Sequence, residues 1–124
     1  MSQAGETEQI SSLTPILRVS DFSASMRYYT EKLGFRKAWE WGEPPSFGCV
    51  ERDSIELFLC LDGQGQPGTW LSFFVCDVDL LHDELRQRGA KIVRPPVDEP
   101  WGMREFSVRD LNGHLLRIGH STRR

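Results

Sequence analysis

Few side chains in this 124-residue chain are equipped for covalent or metal chemistry, and their spacing limits what they can do together. Of the three histidines, His82 falls on a helical face that reads as solvated. His114 and His120 share one strand face about 20 Å apart by strand rise, too far to hold one ion. The three cysteines, Cys49, Cys60 and Cys76, form an odd set without CxxC spacing, so neither a disulfide framework nor a zinc site is expected. Each lies in an apolar, strand-like run and reads as a small core residue. Gly63-Gln64-Gly65-Gln66-Pro67-Gly68 fits GxGxxG literally. A strand rather than a helix follows it and Pro67 interrupts it, so it reads as a connector and not a dinucleotide loop. What remains is aromatic: four tryptophans, Trp39, Trp41, Trp70 and Trp101. Such rings suit a large core or a flat hydrophobic ligand.

The elements that must position these rings follow from the pattern of the chain. Its length allows one domain with one sizeable core. A hydrophobic share of 39% and a charged share of 27% are those of a globular protein. No run is long and apolar enough for a membrane span, and the start lacks the basic and apolar regions of a secretory signal, so the expected location is the cytoplasm. A net charge of -3 argues against a nucleic-acid binder.

Residues 1–12 are polar, without periodicity, and read as a flexible arm. Thr14 to Val19 reads as a strand. Asp21 or Ser23 caps a helix whose apolar residues Phe22, Met26, Tyr29 and Leu33 follow helical spacing, and Gly34 ends it. Strands follow over Phe35 to Trp41, Phe47 to Arg52 and Ile55 to Cys60, with a connector from Asp62 to Gly68. The order then recurs. Trp70 to Cys76 is a strand, and Asp77 or Asp79 opens a helix closed by Gly89. Lys91 to Arg94 is a strand, Pro95 to Gly102 a proline-rich loop, and Arg104 to Arg109 and His114 to Gly119 the last strands.

The recurrence is an internal repeat. Val19-Ser20-Asp21 matches Val75-Cys76-Asp77, Gly34 matches Gly89, and Arg52-Asp53 matches Arg109-Asp110. The chain is thus expected to be α+β, with two βαβββ modules (13–61 and 69–120) forming cup-shaped mixed sheets. Neither module can bury both faces alone, so they must pack together or pair across a dimer.

A doubled βαβββ unit of this size resembles the vicinal oxygen chelate superfamily, which includes glyoxalase I, extradiol dioxygenases and bleomycin resistance proteins. Residues 17–35 resemble its first strand and helix, and residues 109–120 its last turn and strand. Glu99-Pro100-Trp101-Gly102, then Arg104-Glu105-Phe106 and Arg109-Asp110, resemble a segment of the bleomycin resistance proteins, with Met103 inserted. The resemblance implies a non-catalytic, cofactor-free homodimer that sequesters a bleomycin-like antibiotic in its interface clefts. It implies that Phe47 and Trp101 sandwich the drug's flat bithiazole, and that Pro15 is a hinge where the arm crosses to the partner. The turn Glu43-Pro44-Pro45-Ser46 is longer than the family's. Acids near the cleft, Glu43, Asp98 and Glu99, would attract a cationic drug tail.

The superfamily's enzymes hold a divalent metal on four strands, and matching the strands puts those positions at Thr14, Glu56, Trp70 and Arg117. Only Glu56 is a metal-type ligand, so no metal is expected, and Glu56 and Arg117 are expected to pair instead. The expected ligand-binding set is Phe47, Trp101, Phe58, Trp70, Ser72, Glu56, Arg117 and Gly102. Trp39 and Trp41 are expected to pack in the core. Two alternatives stay open: a metal-dependent glyoxalase- or dioxygenase-like enzyme, and a binder of another small aromatic metabolite.

Overall fold

The computed structural model describes residues 9–123; most of the expected arm, residues 1–8, lies outside the described residues. Strand β1 (Ile16–Val19) leads into helix α1 (Phe22–Arg27) and a π-helical turn (Tyr28–Lys32). Strands β2 (Arg36–Trp41), β3 (Phe47–Arg52) and β4 (Ile55–Leu61) complete the first unit. The second repeats it with β5 (Trp70–Phe74), α2 (Val78–Arg88), β6 (Lys91–Glu99), β7 (Met103–Arg109) and β8 (Leu115–Ser121).

The helix starts are set by equivalent aspartates. Asp21 accepts from the amide of Ala24 at 3.0 Å, and Asp77 from that of Leu80 at 3.1 Å, each satisfying a free N–H of a first turn. At the end of α2, Gly89 takes φ 90°, a left-handed conformation that costs glycine nothing.

Each unit makes one four-stranded sheet, ordered β1-β4-β3-β2 and β5-β8-β7-β6. In each, the first strand runs parallel to the last and the other pairs are antiparallel. The match in order is the repeat seen in the sequence.

One expectation fails here. The proline-rich stretch after Arg94 is not a loop, because β6 continues to Glu99. Two features permit it. β6 is an edge strand, and its register slips between Arg94 and Val97, so Pro95 and Pro96 owe no ladder hydrogen bond. Two other expectations also fail. Cys76 lies just past β5 and is exposed, whereas Cys49 and Cys60 are buried. His82 is not solvated: its ring meets Phe106 edge-on, with centroids 5.2 Å apart.

Alternation along the strands sends one face of each sheet inward. Leu17, Val19, Leu57 and Leu59 from the first sheet join Phe106, Val108, Leu116 and Ile118 from the second in a single cluster with the helices. Burying both units in one core removes far more apolar surface from water than either could alone.

Polar links also cross between the units. His114, fully buried, accepts the amide of Thr69 on Nδ1 at 3.0 Å, and its Nε2 lies 2.7 Å from the carbonyl of Arg18. The Tyr28 hydroxyl donates to the carbonyl of Arg109 at 2.6 Å and accepts from Lys91 at 3.0 Å. Arg52 grips Glu84 through two hydrogen bonds of 3.0 and 2.7 Å.

Candidate ligand site

With one face of each sheet committed to the core, the other is left open. The open face of the second sheet carries Trp70 and Ser72 on β5, Leu115, Arg117 and Gly119 on β8, and Glu105 and Ser107 on β7. Ser107 stands opposite Arg117, and Glu105 opposite Gly119. This register brings the carboxylate of Glu105 within one step of the guanidinium of Arg117.

Gly119 makes room for that approach. A Cβ there would lie 2.9 Å from Glu105 Cγ and 3.2 Å from the carbonyl of Arg104, so any larger residue would push the Glu105 stem away. Laid over Gly119, Glu105 accepts from Arg117 Nε at 3.1 Å and from Arg117 Nη2 at 2.9 Å. The two-point geometry suits the planar guanidinium. The Arg117 hydrogen bonds, helped by one from Trp101, hold the Glu105 carboxyl below its ordinary range although burial pushes it up.

Trp101 stands at the tip of the β6–β7 hairpin. The turn closes through a hydrogen bond of 3.1 Å from Gly102 to the carbonyl of Glu99, with Gly102 at φ 87°. Its conformation favours glycine, and it turns the Trp101 ring toward the sheet. The indole Nε1 donates to Glu105 Oε2 at 3.2 Å. One buried carboxylate thus orients both Arg117 and Trp101.

Trp70 and Trp101 both line a cavity of about 510 Å³, together with Val93, Leu115 and the pairs Arg94–Glu99 and Arg117–Glu105. The two rings are 69% and 54% exposed, large apolar surface left in water at the cavity.

The first sheet's open face holds a second aromatic group. Trp39, Phe47 and Phe58 meet pairwise, with centroids 5.3 to 5.7 Å apart, above the buried Cys49. Burial, with Glu56 and Glu51 nearby, pushes the Cys49 thiol above its ordinary value. Trp39 and Trp41 are therefore not core residues, since both remain exposed on this face. Their strand β2 is an edge, so its side chains have neighbours on one side only.

The expected Glu56–Arg117 pair does not form. Glu56 lies on the first sheet opposite Glu51, whereas Arg117 is held within the second sheet by Glu105. Phe47, Phe58 and Glu56 share the first open face; Trp70, Ser72 and Arg117 share the second, with Trp101 and Gly102 at its rim. The cavity is lined by the second sheet and its hairpin, with nothing from the first. Asp98 and Glu99 do not stand free to draw a cation: Arg104 pairs with Asp98 at 3.0 Å and Arg94 with Glu99.

Sequence reading missed Glu105 as the partner of Arg117. The signal was available in strand parity. With Phe106 and Val108 directed to the core, Glu105 and Ser107 must face outward, and the short turn from Asp110 to Gly113 sets them beside Arg117 and Gly119.

The family profile described as Glyoxalase/Bleomycin resistance protein/Dioxygenase superfamily matches residues 9–118. The chain belongs to this superfamily. The uncharacterized protein YraH of Bacillus subtilis (strain 168) is 27% identical to this chain, over 82% of it and 91% of YraH. The crystal structure of TioX from Micromonospora sp. ML1 superposes with a TM-score of 0.80 at 24% identity, covering 90% of this chain and 98% of that one. A bleomycin-binding protein from Streptomyces verticillus, crystallised with copper(II)-bleomycin, gives 0.73 at 24% identity, covering 90% and 96%. At this identity the two structures establish a shared fold.

The superfamily's name spans enzymes and drug-binding proteins, so the metal question turns on this chain's own donors. The four matched positions do not fit a divalent ion. Trp70 has no donor lone pair to offer, and Arg117 carries a permanent positive charge. Glu56 lies on the first sheet and Thr14 just ahead of its strand β1, whereas Trp70 and Arg117 lie on the second sheet. Among the described residues, no group of three His, Cys, Asp or Glu side chains converges.

Proposed function

We propose that this protein captures a flat heteroaromatic small molecule of the bleomycin type and holds it unchanged, as a sequestering resistance protein does. The observation that carries the reading is the Trp70–Trp101 cavity, an apolar slot with exposed rings and charged groups already paired. A flat ring stacked there gains burial plus about 1 kcal/mol per aromatic contact.

A sandwich between Trp101 and Phe47 needs a second copy of the chain, because the two rings stand on different sheets. A homodimer would set the Trp39–Phe47–Phe58 platform of one chain over the Trp70–Trp101 slot of the other and form two such clefts. The expected ligand-binding set is then split between the subunits, with Phe47, Phe58 and Glu56 from one and Trp70, Ser72, Trp101, Gly102 and Arg117 from the other. Capture without turnover protects only if binding is micromolar or tighter, about 8 kcal/mol.

Calorimetric titration with bleomycin tests this reading, with light scattering for the assembly state. The expected result is a dimer that binds one drug per cleft. Absence of heat across several salt conditions would remove bleomycin as the ligand class, and a monomer at micromolar concentration would remove the interface cleft. The enzyme alternative rests on superfamily membership alone.

A further inference from the structure

We infer that Arg117 makes the cavity selective for an uncharged heteroaromatic ring that carries a lone-pair acceptor on its edge. The inference rests on the capture reading above and narrows its ligand class.

A guanidinium has five N–H donors. Arg117 spends Nε and Nη2 on Glu105. Among the described residues its Nη1 has no acceptor, and the side chain keeps 44% of its surface open on the cavity wall. Trp70, Trp101 and Arg117 line the same cavity, so a ring held there shares its wall with these donors. If the edge is hydrocarbon, the donors lose water and gain nothing, which penalises binding. If it carries a ring nitrogen or a carbonyl, the donors are satisfied.

Charge narrows the class further. The cavity holds two cations and two anions, paired as Arg94–Glu99 and Arg117–Glu105. A cationic ring would face the Arg117 guanidinium. A carboxylate ligand would sit beside Glu105, whose oxygen is 2.9 Å from Arg117. Either adds an unbalanced charge to a site that is already neutral. An uncharged acceptor adds none.

Three probes of nearly one shape separate these terms: bithiazole, bithiophene, which lacks the ring nitrogens, and N-methylated bithiazolium, in which they are blocked and charged. Each is titrated against the full-length protein and followed by tryptophan fluorescence. Bithiazole is expected to bind about tenfold more tightly than bithiophene, the worth of one hydrogen bond to a charged donor. The bithiazolium is expected to be the weakest of the three. The preference for bithiazole should vanish in Arg117→Met. Because that change strands Glu105, the double variant Glu105→Gln/Arg117→Met serves as a second test with no orphaned charge. Equal binding of bithiazole and bithiophene, a bithiazolium as tight as bithiazole, or a preference that survives both variants overturns the acceptor role and leaves capture by stacking intact. If none of the probes binds, the capture reading falls and the acceptor role falls with it.

Discussion

The hydroxyl of Tyr29, in the first unit, donates to the carboxylate of Asp110, in the second, at 2.7 Å within the protein interior. Asp110 also accepts the amides of Asn112 at 2.8 Å and His114 at 2.9 Å, so the last turn is organised around it. Burial and the Asp110 charge push the Tyr29 hydroxyl well above its ordinary value, keeping it a donor. Tyr29→Phe is expected to cost about 1–3 kcal/mol, the loss of a hydrogen bond to a charged acceptor. Chemical denaturation measures this, and a variant as stable as the parent would show that the contact contributes nothing.

His114 is the second clasp. Because Nδ1 accepts from Thr69, the hydrogen sits on Nε2 and is donated to the Arg18 carbonyl. His114→Leu keeps the apolar volume but strands both backbone groups, at an expected cost of about 2–5 kcal/mol. Hydrogen exchange at the Thr69 amide should accelerate selectively, and unchanged protection there would contradict the bridge.

Acid should loosen the second sheet. The folded carboxyl of Glu105 lies below its ordinary 4.5, so the folded state holds its proton less readily than the unfolded chain does. Its contribution to stability is therefore complete above pH 4.5 and declines as pH falls through the lower folded value. Glu84, held down by its hydrogen bonds from Arg52 and then Arg88, acts in the same sense, with its side chain more open to solvent than that of Glu105. Glu105→Gln should flatten the fall of stability with acid. An unchanged slope would assign acid sensitivity elsewhere.

Gly119→Ala tests the placement of Glu105. The added methyl would meet Glu105 Cγ at 2.9 Å, and relief by rotating Glu105 would break its bonds to Arg117 and Trp101. The expected cost is about 1–3 kcal/mol from overpacking. The Trp101 indole N–H resonance should also move, and an unmoved resonance would mean that Glu105 holds its place.

Trp101→Ala separates binding from folding. The ring is 54% exposed at a hairpin tip, so its loss should change stability by less than about 1 kcal/mol. Ligand affinity should fall at least about tenfold through lost stacking and burial. Equal affinity in the variant would remove Trp101 from the site.

Much of the architecture was legible because it rests on local chemistry. Asp21 and Asp77 can cap only the helices that follow them, and Gly89 takes a left-handed turn that other residues resist. Alternation in Ile55 to Cys60 and Leu115 to Gly119 assigns each side chain to a face with no knowledge of the partner sheet. Pro95 and Pro96 misled for the opposite reason. A proline's cost in a strand depends on whether its N–H is owed to a neighbour, and strand order decides that.

By itself, the sequence determined the two repeated units, their helix ends, and which side of each strand faces the core, since these follow from residues a few positions apart. Which charges meet was decided only by the tertiary structure. Glu56 and Arg117 hold matching places in the repeat, yet they sit on different sheets, and Glu105 reaches Arg117 first because one hairpin register and the missing side chain of Gly119 put it there. Trp39 and Trp41 followed the same rule: they remain exposed because β2 has become an edge. Pairing and exposure depend on distances between segments far apart in the chain, and packing alone sets those distances.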